Sequence, residues 1–237
     1  MKLFCFPYAG GTAGIFHRWK EYLDPSIELV PVELAGRGSR VHEPCSESLR
    51  KVVNDVFPHV WHHLDGTPYA LFGHGMGCLI VYELAHRILR LKGGNPACLI
   101  FSGHRPPHIR NKRWIHTLPD NEFQKEILSL GGRSKELFEN QVMTGFFSRI
   151  LRADFGAAEK YRYLPKAHKL ESKTVILYGK QDHAAANSCH EWHLQTNKEC
   201  DIYSFEDGHF FINENEEEVL NVINSSLLSC SMIGSGI

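Results

Sequence analysis

Residue types that together can attack a carbonyl and hold the resulting oxyanion stand in order along this chain, except at one position. Gly73-His74-Gly75-Met76-Gly77 follows the apolar run Tyr69-Ala70-Leu71-Phe72 and leads into a helix-like stretch. The spacing matches G-x-S-x-G, a strand–turn–helix elbow whose central side chain is lifted above a sheet on a positive-φ backbone. Small residues on either side let the chain reverse. The N–H of the next residue, Met76, then faces the substrate oxygen as half of an oxyanion hole. At the centre stands Gly75, which has no hydroxyl to attack with. Downstream, Tyr178-Gly179-Lys180-Gln181-Asp182 places an acid just past one apolar run, and Asp207-Gly208-His209-Phe210 places a histidine just past the next. Positions 75, 182 and 209 follow the order nucleophile, acid, histidine, each on the loop after a strand. In that arrangement Asp182 orients the His209 ring, and His209 serves as base and then acid. Singly, Asp182 reads as a turn former and His209 as one of fifteen histidines. The shared order favours the joint reading.

Phe6-Pro7-Tyr8-Ala9-Gly10-Gly11 directly follows the first apolar run. Its glycines let the backbone turn and aim N–H groups at an anion. Alone this is a plain glycine turn; paired with the elbow, the N–H of Ala9 becomes the second oxyanion donor. Arg105, Arg110, Lys112 and Arg113 form a basic cluster that reads either as a solvated face or as a contact for an acidic partner. Gly73, Gly75 and Gly77 also resemble a dinucleotide fingerprint, but the third glycine comes one residue early and no acid ends a strand about 20 residues on. Cys189, His190, His193 and His183 lack a recognisable metal-ligand spacing. No metal and no cofactor is expected.

Something must hold these loops at one edge. Runs rich in apolar and β-branched residues recur at 3–6, 28–33, 69–72, 97–102, 174–178 and 201–205, most of them hydrophobic throughout, as strands buried on both faces of a parallel sheet are. Helix-like stretches, 46–64 and 78–91 among them, separate them, which predicts a doubly wound, mostly parallel α/β sheet in one domain over 1–237. Residues 106–163 break the rhythm with helical pieces at 120–130, 135–140 and 141–163 around Gly131-Gly132. They read either as a lid over the sheet edge or as cover for one side of the core. Residues 229–237 read as a flexible tail.

Composition fits this picture. Apolar residues make up 43% and charged residues 22%, which suits one globular core. Twenty-six Lys and Arg against 27 Asp and Glu leave no basic excess for nucleic acid. No apolar run approaches the roughly 18 residues that span a bilayer. Seven scattered cysteines, odd in number and without a C-x-x-C pair, predict reduced thiols and, with Pro7 too early for a signal peptide, a cytoplasmic location. Nothing demands more than a monomer.

With these motifs in view, the chain resembles the type II thioesterases that accompany nonribosomal peptide and polyketide synthases. The likeness runs from about residue 2 to 228. Its carriers include Phe6-Pro7-Tyr8-Ala9-Gly10-Gly11, Leu34-Ala35-Gly36-Arg37-Gly38-Ser39-Arg40, Ser102-Gly103-His104-Arg105-Pro106-Pro107, Leu118-Pro119-Asp120, Leu130-Gly131-Gly132, the 152–161 segment and Gly208-His209-Phe210-Phe211. The family motif G-H-S-M-G matches residues 73–77 except at Gly75. The resemblance implies an α/β-hydrolase that removes unwanted acyl groups from the phosphopantetheine arm of carrier domains through a serine acyl-enzyme. It carries Asp182, His209, Met76 and Ala9 over as matching positions. Three explanations of Gly75 stand open: a replaced serine in an otherwise active enzyme, a natural glycine in a non-hydrolytic binder, or another nucleophile such as Cys78, Ser102 or a water activated by His209.

Overall fold

The computed structural model describes residues 1–110, 113–131 and 141–233. Six strands, β1 (Lys2–Phe6), β2 (Glu28–Pro31), β3 (Tyr69–His74), β4 (Cys98–Ser102), β5 (Lys173–Gly179) and β6 (Cys200–Phe205), pair in the order β2-β1-β3-β4-β5-β6. Every pair is parallel. The continuous apolar character of β1, β3, β4 and most of β5 is explained by burial on both faces, whereas the edge strands β2 and β6 are partly exposed. Phe4, Phe6, Leu71, Leu99, Phe101 and Ile176 point into one core, with helices α1 (Leu49–His62) and α2 (Met76–Arg90). Leu3, Cys5, Ala70, Phe72, Cys98, Ile100 and Val175 alternate into the other, beneath the 3-10 helix Ala13–Glu21 and the last helix.

The strand order reverses beside β1. One connection leaves β1 for the edge strand β2, while the next returns through α1 to β3 on its other side. The crevice at such a switch point is where open α/β sheets bind ligands. The loop after β1 and the elbow after β3 both open onto it.

Helix α3 (Asp120–Ser129) and helix α4 (Gln141–Glu159) lie in the stretch expected to be helical without strands. Ile115, Phe123, Ile127 and Leu151 form a small apolar cluster of their own, separate from both main cores. The helix expected at 135–140 lies outside the described residues, as does Lys112. Two short helices, α5 (His183–Ala186) and α6 (Phe211–Glu214), follow β5 and β6. The flexible tail expected from Ser229 needs correction. Helix α7 (Glu216–Ile233) includes residues 229–233, because Ser229 donates to Ser226 O at 2.8 Å and accepts from Lys173 Nζ at 3.3 Å, tying the helix to β5; residues 234–237 of the expected tail lie outside the described residues.

Backbone contacts fix the elbow. A Cβ at Gly77 would lie 2.3 Å from the carbonyl oxygen of Phe6, and one at Gly73 would lie 2.3 Å from that of Gly77. Neither neighbour is a side chain that could swing away. Gly77→Ala is expected to cost about 3 kcal/mol or more, lowering Tm by roughly 6–12 °C. Gly145→Ala, in α4 with open space around it, is expected to raise Tm slightly, since alanine favours a helix by up to about 1 kcal/mol. Thermal melts of the two variants check this; equal effects would contradict it.

Candidate active site

At the elbow Gly75 takes φ 54° and ψ −121°, a conformation glycine adopts with little strain. Its N–H donates to Ser102 O at 2.9 Å and its carbonyl accepts from Cys78 N at 3.0 Å, so β4 and the first turn of α2 hold the bend from both sides. A Cβ built at Gly75 would sit 3.1 Å from Tyr8 Cβ and 3.2 Å from His209 Nε2. The residue at the centre of the elbow therefore faces the predicted histidine directly.

His209 reaches this point because β5 and β6 end tightly together. A Cβ at Gly179 would lie 2.1 Å from Gly208 O, and Gln181 N donates to Asp207 O at 2.8 Å. The His209 Nδ1–H donates to Asp182 Oδ2 at 2.7 Å, which leaves the Nε2 lone pair facing Gly75. Asp182 caps α5 by accepting Ala185 N at 3.2 Å through its other oxygen. Burial alone would raise its pKa. The hydrogen bond from His209, its charge whenever the ring is protonated, and the Ala185 N–H outweigh that and hold the carboxyl below its ordinary range.

Behind the pair stands His74, fully buried. Burial first, and the charge of His209 second, push its pKa well below the usual value, so the ring is neutral. Its Nε2 lies 2.9 Å from His209 O, an acceptor only, so Nε2 carries the proton and Nδ1 accepts the Ser102 hydroxyl at 2.8 Å. Gly103, at φ 61°, admits the ring edge: a Cβ there would be 2.7 Å from His74 Cε1. His74 thus ties the histidine loop to β4.

The N–H groups of Ala9 and Met76 have no partner among the described residues. Tyr8 packs edge-on against His74 and Phe210, which brings the β1 loop to the elbow. Arg105 is half-buried. Burial lowers its pKa, opposed by the field of Asp182, which places it within electrostatic reach of the pair. Arg110 is exposed, on the loop after β4. Arg113 pairs with Glu126 of α3.

The two alternative side-chain nucleophiles, Cys78 and Ser102, are sealed off. Cys78 is fully buried, donates to Gly73 O at 3.1 Å and to Ser102 O at 3.2 Å, and burial pushes its thiol far up in pKa. Ser102 is equally buried, its proton committed to His74. The dinucleotide reading also fails on geometry, because the space beside Gly73 and Gly77 is filled by the chain's own carbonyls. His193 Nδ1 lies at 2.5 Å from the carbonyl of His190, and Cys189 Sγ donates to Ala186 O at 3.3 Å, so these side chains serve local bonds. A groove of about 1210 Å³ between α1, α2 and residues 157–171 touches none of the elbow or triad positions.

Motif reading missed two buried residues. Arg37 and Asp154 form a two-pronged ion pair at 2.5 and 2.7 Å, 2% and 1% exposed. The available signal was a lone carboxylate within the apolar run Ile150-Leu151-Arg152-Ala153-Asp154-Phe155 and an arginine between two glycines. Buried charges at such positions need partners.

A parallel sheet, a tight elbow after β3, and an acid and histidine after β5 and β6 define the α/β-hydrolase class. The thioesterase domain family matches residues 1–227. Linear gramicidin dehydrogenase LgrE of Brevibacillus parabrevis is 35% identical over 232 residues, 96% of this chain and 88% of that protein. Among solved structures, ClbQ from the colibactin NRPS/PKS pathway superposes with a TM-score of 0.93 at 32% identity, covering 98% of both chains. The type II thioesterase BorB from the borrelidin biosynthetic cluster gives 0.86 at 29% identity, over 95% of this chain and 92% of its own. The chain belongs to the thioesterase family, a family of thioester hydrolases, and the type II resemblance of its motifs is borne out.

Burial pushes His86 and His104 down to about 4, and His74 well down, while all three are free to protonate near pH 6.5 once unfolded. A group with a depressed folded pKa stabilises fully above its unfolded pKa and loses that contribution as pH falls toward the folded one. Stability is therefore expected to drop between pH 7 and 5.5 by up to about 1.4 kcal/mol per pH unit for each such imidazole. Chemical denaturation across that window checks it; a flat profile would contradict it.

Proposed function

We propose that this chain is a type II thioesterase of a nonribosomal peptide or polyketide pathway with its acid–base pair in place and its nucleophile missing. The single observation that carries the reading is His209 Nε2 at 3.2 Å from a Cβ at Gly75, with Nδ1 on Asp182 at 2.7 Å. In a serine-bearing site of this shape, Oγ attacks the thioester carbonyl and passes its proton to Nε2. The N–H groups of Ala9 and Met76 hold the oxyanion, and collapse expels a thiolate that takes the proton back. Water then repeats the sequence and releases the acid. Without Oγ the first bond cannot form, and loss of a triad nucleophile costs on the order of a million-fold.

The substrate in this reading is an unwanted acyl group on the phosphopantetheine arm of a carrier domain, as supported by relatives named for such pathways. Residues 106–163 act as the lid, a role supported by their separate apolar cluster. Arg105, Arg110 and Lys112 meet the carrier's acidic face or its phosphate. Seven free thiols and the absence of any described helix long enough to cross a membrane support a cytoplasmic monomer. A second reading, a binder of loaded carriers that does not hydrolyse them, is favoured by the burial of both Cys78 and Ser102.

Acid release from an acyl-loaded carrier protein, compared between this chain and Gly75→Ser, tests the proposal. Serine is expected to raise turnover by about a thousand-fold or more. It should also lower Tm by a few degrees, because a side chain at this φ costs about 1–2 kcal/mol. In the same assay, Arg110→Glu is expected to weaken carrier binding several-fold. Equal rates from both chains would remove the missing nucleophile as the explanation. Binding without turnover in either would favour the second reading.

A further inference from the structure

The loop that carries Ala9 does not hold itself in place. Gly10 N–H donates to Asp154 Oδ2 at 2.7 Å. Gly10 itself takes φ 82°, and a Cβ there would lie 2.6 Å from Leu151 Cδ2. Leu151 and Asp154 are three residues apart and so share one face of α4. That face meets the loop with an apolar contact beside a hydrogen bond. Asp154 is in turn fixed by Arg37, whose Nη1 and Nη2 take one carboxylate oxygen each at 2.5 and 2.7 Å, and whose Nη1 also donates to Gly11 O at 3.3 Å. Arg37 Nε is buried with no partner among the described residues.

A buried ion pair of this kind is seldom retained for stability, because apolar residues of similar volume often serve as well or better. What the pair supplies here is a fixed acceptor for one backbone N–H. Holding Gly10 N–H sets the plane of the peptide between Ala9 and Gly10, which limits the directions open to the neighbouring Ala9 N–H. Both contacts to Gly10 come from α4, within the insertion that reads as the lid, not from the sheet.

We propose that Asp154, held by Arg37, is a positioning residue for the oxyanion loop and couples the seating of α4 to the direction of the Ala9 N–H. The inference rests on the reading of Ala9 as an oxyanion donor. A ligand that lifts α4 would release Gly10 and slacken the donor; one that leaves α4 seated would keep it aimed. The lid then influences the rate of the chemical step as well as entry to the site.

The first test needs no activity. In the unaltered chain the Gly10 amide should exchange with solvent at least about 100-fold more slowly than an open loop amide, and Asp154→Asn should speed it. Rapid exchange in the unaltered chain would overturn the proposal by itself. The second test uses Gly75→Ser as the parent and adds Arg37→Met with Asp154→Leu, which removes both charges together. This triple variant should fold with Tm within a few degrees of the parent. Its kcat should fall about 100-fold, the effect of losing one oxyanion donor, with KM within threefold. Affinity for an alkyl boronate, which needs the oxyanion hole, should fall with kcat, while affinity for a carrier bearing a non-hydrolysable thioether should not. A folded triple variant with the parent's kcat would overturn the proposal. An inactive parent that still shows Gly10 protection would instead count against the thioesterase reading and leave the clamp itself standing.

Discussion

The site depends on backbone packed against backbone at the turn after β3. Gly73 and Gly77 have carbonyl oxygens where a Cβ would be, so the chain can reverse only here and only with these residues. That reversal brings the residue at position 75 up to His209 and starts α2 at Met76, with its first N–H unused. It also presses the elbow against Phe6 and Pro7, which fixes where the Ala9 loop begins. None of these contacts involves a side chain at position 75, so glycine there leaves the scaffold of the elbow complete.

Around this turn, polar groups are arranged so that few buried charges go uncompensated. His74 is neutral and spends both nitrogens on Ser102 and the His209 backbone. Asp182 keeps its charge because His209 and the start of α5 satisfy it. Arg37 and Asp154 neutralise each other within reach of the β1 loop. Each set joins a loop of the proposed site to an element that is not its own strand, so the geometry is shared across the sheet, α4 and α5.

Much of this was legible in the residue order. Apolar runs without alternation gave the parallel sheet, and the elbow, acid and histidine appeared in sequence on successive loops, because each is a local strand-to-loop pattern. What escaped was long-range. Arg37 and Asp154 lie 117 positions apart, and neither stands in a catalytic motif. The role of His74 was hidden because its partners come from the end of β4 and from the loop after β6. Residues 229–233 read as tail because small residues and two glycines crowd 229–237, whereas Ser229 bonds back along the helix and across to Lys173.

The central claim is that one missing oxygen separates this chain from acyl-enzyme chemistry. Intact mass spectrometry after mixing with an acyl-loaded carrier tests it most directly, with Gly75→Ser beside the unaltered chain. The account predicts a mass gain of one acyl group on the serine variant, increased when Asp182 or His209 is also replaced so that release is slowed, and no adduct on the unaltered chain. An acyl adduct on the unaltered chain, or none on the serine variant while it binds the loaded carrier, would contradict it.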